Sequence, residues 1–236
     1  MPSILITGAN RGLGLEMARQ YGEAGWRIMA CCRDPKSAPE LARLGAASGG
    51  RTSLHRMEVT DAGQVKAVAA ELKGQAIDVL FNNAGVLGGA IDKPAPLSFG
   101  SIDYAAWEEV LRVNTLAPVR VAEAFVDHVA ASERKLMAFM STYMASITSL
   151  NDGGYYQYRS SKAALNLVVK ALSIDLKARG VRTLALHPGW VATDMGGSSA
   201  PVKAPESIRG IRQVIELYGK NETGQFYNYD GSKFSW

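Results

Sequence analysis

The chain has 236 residues, 47% of them hydrophobic, with 26 Lys and Arg against 22 Asp and Glu. That much apolar side chain can bury a substantial core, and 236 residues suit one large α/β domain as well as two small ones. The net charge of +4 is dispersed among acidic residues with no basic block, which argues against nucleic-acid binding, and no apolar run approaches membrane-spanning length.

Two adjacent cysteines, Cys31 and Cys32, suit neither a relaxed disulfide nor a metal site, and buried thiols in a reducing cytoplasm are expected. Ile4-Leu5-Ile6 goes straight into structure without a charged leader. In chain order, apolar runs predict strands over residues 3–7, 27–32, 53–57, 79–82, 136–142, 182–187 and 225–229. Helical periodicity predicts helices over 12–24, 61–73, 104–131, 155–179 and 205–218, with Leu13, Met17, Tyr21 and Ala24 as one apolar stripe. This alternation implies a single α/β domain: a doubly wound sheet of about seven mostly parallel strands with helices on both faces. Residues 87–101 and 196–204, rich in Gly, Pro, Ser and Ala, are candidate walls or lids of a crevice at the strands' carboxyl ends.

Thr7-Gly8-Ala9-Asn10-Arg11-Gly12-Leu13-Gly14 lies between the first strand and the first helix. Gly8 allows a tight turn, Gly12 a close approach of backbone to phosphate, and Gly14 tight helix–sheet packing. Farther on, Tyr158 and Lys162 are one helical turn apart, so a phenol and an ammonium share a face. A cation there favours the phenolate and is expected to pull the tyrosine pKa towards neutrality. Alone, that spacing is better read as a bland surface pair, since it occurs by chance in many helices.

Five motifs in order resemble the short-chain dehydrogenase/reductase family. They are Thr-Gly-x-x-x-Gly-x-Gly at 7–14, Asn82-Asn83-Ala84-Gly85, Asn114 in Arg-Val-Asn-Thr, the Tyr158/Lys162 pair, and the Pro188-Gly189 segment running to Thr193-Asp194. Residues 153–158, 161–166, 190–195 and the ending 224–236 are similar to the C-factor and sniffer-type carbonyl reductases within it. The resemblance implies a Rossmann fold and a nicotinamide cofactor held by Gly8, Asn10, Arg11, Gly12, Leu13, Gly14, Arg33, Glu58, Val59, Asn83, Ala84, Gly85, Pro188, Gly189, Val191 and Thr193. Tyr158 would be general acid or base, Lys162 would bind ribose and acidify it, and Asn114 would hold a water relaying protons.

The second strand ends Cys31-Cys32-Arg33-Asp34, with no carboxylate at 31 or 32 to hold a free ribose hydroxyl. Arg33 and Arg11 suit a 2′-phosphate, because the guanidinium fork donates paired hydrogen bonds. NADP(H) is therefore expected, with NAD(H) possible; the alternative is that Asp34 binds ribose and both arginines face solvent. Where the family has Ser-Ser, this chain has Ser141-Thr142, and Thr142 is expected to hold the substrate carbonyl oxygen, with Ser141 and Ser146 as rivals. His187 is read as structural, and no metal-ligand spacing or serine-hydrolase elbow occurs.

The expected activity is reduction of a ketone or aldehyde to an alcohol, or the reverse. A cofactor-binding regulatory or signalling protein with little turnover is the alternative. A nucleotide-sugar epimerase ranks last, because only about forty residues follow Thr193. Resemblance also implies a homodimer or homotetramer built on the two long helices.

Overall fold

The computed structural model describes residues 1–88 and 98–236. Among the described residues, seven strands form one sheet: β1 (Ser3–Thr7), β2 (Arg27–Cys32), β3 (Thr52–Arg56), β4 (Val79–Asn82), β5 (Leu136–Met140), β6 (Arg182–His187) and, in the same sheet, β9 (Gln225–Asn228). Their order is β3-β2-β1-β4-β5-β6-β9 and every pairing is parallel. The order reverses between β1 and β4, so a crevice opens where the connections leave in opposite directions, beyond the carboxyl ends of these two strands. Two short strands, β7 (Val191–Ala192) and β8 (Val202–Lys203), pair separately.

Among the described residues, seven α-helices cover the sheet: α1 (Gly12–Glu23), α2 (Pro39–Ala47), α3 (Ala62–Glu71), α4 (Tyr104–Leu111), α5 (Ala117–Ala130), α6 (Tyr156–Asp175) and α7 (Ala204–Leu217). Alternation along β1 sorts the core. Ile4 and Ile6 pack with Met17 and Tyr21 of α1, Leu41 of α2 and Ile208 and Ile211 of α7. Leu5 faces the other way, towards Val65 of α3, Val121 and Phe125 of α5, and Leu165 and Val169 of α6. Phe81, Phe125, Phe139 and Phe226 are fully buried. Each stabilises the fold by about 2–3 kcal/mol relative to exposure.

Several boundaries differ from expectation for local reasons. Helix α2 was not foreseen; Pro39 at its start and Glu40 in its first turn are the signal for it. The stretch expected as one helix over 104–131 is interrupted by a π-helical turn, Arg112–Leu116, which carries Asn114. Strand β5 stops at Met140, and Thr142 instead accepts a hydrogen bond from Met144 N (3.2 Å), capping a 3₁₀ turn at Tyr143–Ala145. Most of the expected wall at 87–101 lies outside the described residues, since 89–97 are not described. Among the described residues no helix is long and apolar enough to cross a membrane, and no group of His, Cys, Asp and Glu could hold a metal.

Candidate active site

A cleft of about 280 Å³ lies over the carboxyl ends of β1 and β4. The β1–α1 turn forms its floor with Gly8, Asn10, Arg11, Gly12 and Leu13. Helix α1 begins with no side-chain cap and no acidic residue in its first turn. Asp61 caps α3 and Asp103 caps α4, while α2, α6 and α7 also start without a side-chain cap, so what sets α1 apart is that its start faces the cleft. An uncapped helix start presents unpaired N–H groups and the positive end of the macrodipole, which together favour an anion.

The turn is held by β4. Thr7 Oγ1 accepts from both Asn83 N and Ala84 N at 3.0 Å. Asn83 Nδ2 donates to Thr7 O (3.0 Å) and Gly8 O (3.2 Å), so this side chain braces the glycine turn although it also lines the cleft. Gly12 has φ +54, a region that glycine enters without strain. Gly14 is structural: a Cβ there would lie 2.2 Å from Gly8 O and 2.7 Å from Asn83 Nδ2.

Charge gathers at the cleft mouth. Arg33, Glu58 and Val59 line it from β2 and β3, with Arg33 Nε 3.9 Å from Glu58 Oε2. Arg11 Nη1 reaches across to Asp194 Oδ2 at 2.8 Å, with both side chains well exposed. Asp34, the alternative ribose ligand, is turned onto its own loop, where it accepts from Lys36 N (3.1 Å) and Ser37 Oγ (2.5 Å). The residues present therefore fit a phosphate-bearing dinucleotide, with two guanidiniums and no carboxylate free at the end of β2.

At the other end, Gly85 and Pro188 line the cleft with Tyr158 and Lys162, while Ala84 and Thr193 line it beside Gly8 and Gly12. A Cβ on Gly85 would meet Asn114 Oδ1 at 3.2 Å and Lys162 Nζ at 3.5 Å, so backbone and machinery are in near contact. Gly189 and Val191 sit behind this wall: Gly189 backs on Tyr229, and Val191 pairs with Val202.

Tyr158 and Lys162 lie in the first two turns of α6, whose start is marked by Tyr155 at φ 53, a left-handed conformation that a non-glycine residue adopts at a cost. Lys162 Nζ donates to Met140 O at 2.8 Å. Burial pushes the Tyr158 hydroxyl up to about 12 and is opposed by a hydrogen bond from Thr142. Burial also lowers Lys162 to about 8. The expectation that Lys162 sets the tyrosine pKa is thus corrected: removing water from both groups outweighs their spacing.

Asn114 is fully buried. Its Oδ1 accepts from Val86 N (2.9 Å), while its Nδ2 donates to Val86 O (2.8 Å) and Ser161 Oγ (3.0 Å). Both ends of the amide assigned to a water relay are engaged, and they tie the loop after β4 to α6.

Among the three candidate hydroxyls, Thr142 is the one close enough to Tyr158 to oppose the rise of its pKa. Ser141 lines the cleft, but its Oγ donates to Asn166 Oδ1 at 2.6 Å, and Ser146 Oγ lies within hydrogen-bond reach of Ser149 Oγ and Trp236 O. His187 is buried and pushed down to about 4 by burial, with its ring between those of Tyr143 and Phe234. Val86, Glu109 and Met140 line the cleft without having been expected to, and Asp194 and Met195 line it as well. Asp194 and Met195 directly follow the Pro188–Thr193 segment, which was their signal.

A family model described as short chain dehydrogenase matches residues 2–203. C-signal of Myxococcus xanthus is 38% identical over 172 residues, covering 73% of this chain and all of that protein. Among solved structures, the carbonyl reductase Sniffer of D. melanogaster is 34% identical with TM-score 0.90, each chain covered in full. The NADPH-bound carbonyl reductase from chicken fatty liver is 33% identical with TM-score 0.88, over 100% of this chain and 99% of that one. With the strand order, the glycine turn and one cleft shared by Tyr158 and Lys162, these likenesses lead to one conclusion: the chain belongs to the short-chain dehydrogenase family.

Proposed function

We propose that this protein is an NADP(H)-dependent reductase that turns a ketone or aldehyde into an alcohol, with NAD(H) the poorer cofactor. The observation that carries the reading is a single cleft with an uncapped helix start and two arginines at one end, and Tyr158 with Lys162 at the other. The NADPH bound to the chicken carbonyl reductase supports the cofactor assignment.

The α1 start, with Gly8, Asn10, Gly12 and Leu13, would hold the pyrophosphate. Arg11 and Arg33 would take the 2′-phosphate, Glu58 and Val59 would border adenine, and Ala84, Gly85, Pro188 and Thr193 would border the nicotinamide half. The pairs Arg11–Asp194 and Arg33–Glu58 are exposed, so exchanging carboxylate for phosphate costs at most about 1 kcal/mol each. Bound there, the reduced nicotinamide supplies the hydride.

The chain's own residues supply the rest. Thr142 and Tyr158 donate to the carbonyl oxygen, stabilising the negative charge that grows on it. With its pKa raised to about 12, Tyr158 is protonated at neutral pH and remains a far stronger acid than an alcohol, so it gives its proton to the alkoxide. Lys162, lowered to about 8, stays largely cationic at pH 7 and would hold ribose hydroxyls. Asn114 acts as a positioning residue through Val86 and Ser161.

The likeness to C-signal favours a second reading, cofactor binding for signalling with little turnover. Both readings meet in one experiment, in which the purified chain is given NADPH or NADH with a panel of aldehydes and ketones. Consumption of NADPH ahead of NADH is expected. Tight NADPH binding without consumption favours the signalling reading, and indifference to both cofactors sinks the two together.

A further inference from the structure

Behind the reacting end of the cleft, the last residues fold back onto the loop that carries Thr142. After β9 the chain reverses at Asp230, whose Oδ1 accepts from Ser232 N (2.8 Å) and Ser232 Oγ (2.6 Å). It then returns antiparallel, with Phe234 N donating to Phe226 O at 2.9 Å and a bridge between Tyr227 and Lys233. The Phe234 ring sits between Phe226 (5.1 Å) and His187 (5.6 Å), and Trp236 stacks on Phe226 at 5.6 Å and 24°.

This returning strap grips the loop from two sides. The main-chain oxygen of Trp236 accepts from Thr148 Oγ1 (3.0 Å), Ser146 Oγ (3.3 Å) and Thr148 N (3.4 Å). Ser146 N in turn donates to Tyr143 O and Ala145 N to Thr142 O, both at 3.0 Å, closing the turn that Thr142 caps. On the far side the Tyr143 ring meets His187 at 5.2 Å, and His187 meets Phe234. The loop's own apolar side chains do little to pin it: Ile147 is 74%, Leu150 53% and Tyr143 48% exposed. A loop whose hydrophobic residues face outward takes its position from the contacts it makes elsewhere.

We propose that the segment 234–236 is a positioning strap that sets where Thr142 stands and how its loop presents the exposed side chains of Tyr143, Ile147 and Leu150, making it a specificity determinant for carbonyls bearing an apolar or aromatic substituent. The inference rests on the proposed function, because it takes the Thr142 hydroxyl to meet the carbonyl oxygen. Trp236 acts only through the loop and touches no reacting atom. Its contribution is therefore read in KM for the carbonyl rather than in cofactor affinity.

The test uses the full chain with NADPH and two aldehydes, one small and one aromatic. Trp236→Ala and the pair Ser146→Ala/Thr148→Val are each expected to raise KM for the aromatic aldehyde about tenfold. The small aldehyde should change less, and the Kd for NADPH should stay within about twofold. Trp236→Phe, which keeps a stacking ring, should restore most of the loss. Independently of turnover, hydrogen exchange at the amides of Ala145, Ser146 and Thr148 should quicken in Trp236→Ala. Unchanged KM and exchange while the parent turns over would overturn the strap alone. Equal losses in kcat, KM and NADPH affinity in both variants would also overturn it, as a folding defect. A parent chain that leaves NADPH unconsumed with every carbonyl overturns the proposed function itself.

Discussion

Replacing Thr142 by Val keeps the branched shape and removes one hydroxyl. In the structure that hydroxyl accepts from Met144 N (3.2 Å) and acts on Tyr158 to oppose the rise of its pKa, so two losses separate cleanly. Losing the cap on the 3₁₀ turn costs about 1 kcal/mol of stability. For a chain of this length that lowers Tm by about 2–4 °C. Losing a donor to the developing oxyanion costs about 10²–10³ in kcat, or about 3–4 kcal/mol. The assay is steady-state NADPH consumption with one aldehyde at saturation, beside thermal unfolding of the same samples. Ser141→Ala is the control, because its hydroxyl is spent on Asn166 in the core; it should lower Tm and leave kcat nearly intact. Unchanged turnover in Thr142→Val, with turnover abolished by Ser146→Ala, would refute the assignment.

Arg33→Ala should weaken NADPH binding about tenfold and leave NADH binding nearly unchanged, because only the 2′-phosphate wants the guanidinium. Glu58→Gln, which releases Arg33 from its partner, should shift NADPH affinity the other way by up to about fivefold, read by cofactor titration. Gly14→Ala places a Cβ 2.2 Å from Gly8 O, a clash with backbone that should cost about 1–3 kcal/mol and outweigh the helix propensity gained; a raised Tm would contradict this. His187 has its pKa lowered from 6.5 to about 4 by burial, so between those values the unfolded chain binds more protons. Stability is accordingly full above pH 6.5 and is lost as pH falls towards 4, by up to about 3 kcal/mol, and His187→Phe should flatten that slope in denaturant titrations.

What could be read in advance follows physical range. Strands at Arg27–Cys32, Val79–Asn82 and Arg182–His187 appear with the expected limits, because buried parallel strands write themselves as unbroken apolar runs. The glycine turn was legible for the same local reason: a strand, a turn and a helix start stand within a dozen residues. The π turn at Arg112–Leu116 was not, since the apolar pattern runs through it and its role depends on Asn114 meeting Val86. Thr142 leaves the strand early because a side-chain cap outcompetes another ladder position. The ionisation of Tyr158 and Lys162 was misjudged from spacing alone, since desolvation is set by packing that four residues of sequence do not reveal. The link between Ser146 and Trp236, ninety positions apart, lies beyond any local pattern.

The most direct measurement pairs kcat for carbonyl reduction with Kd for NADPH in Tyr158→Phe. Removing the proton donor alone should lower kcat by about 10²–10⁴ while cofactor affinity stays within a few-fold. A phenylalanine variant that reduces the same aldehyde at the parent's rate would contradict the assignment of Tyr158 as the acid.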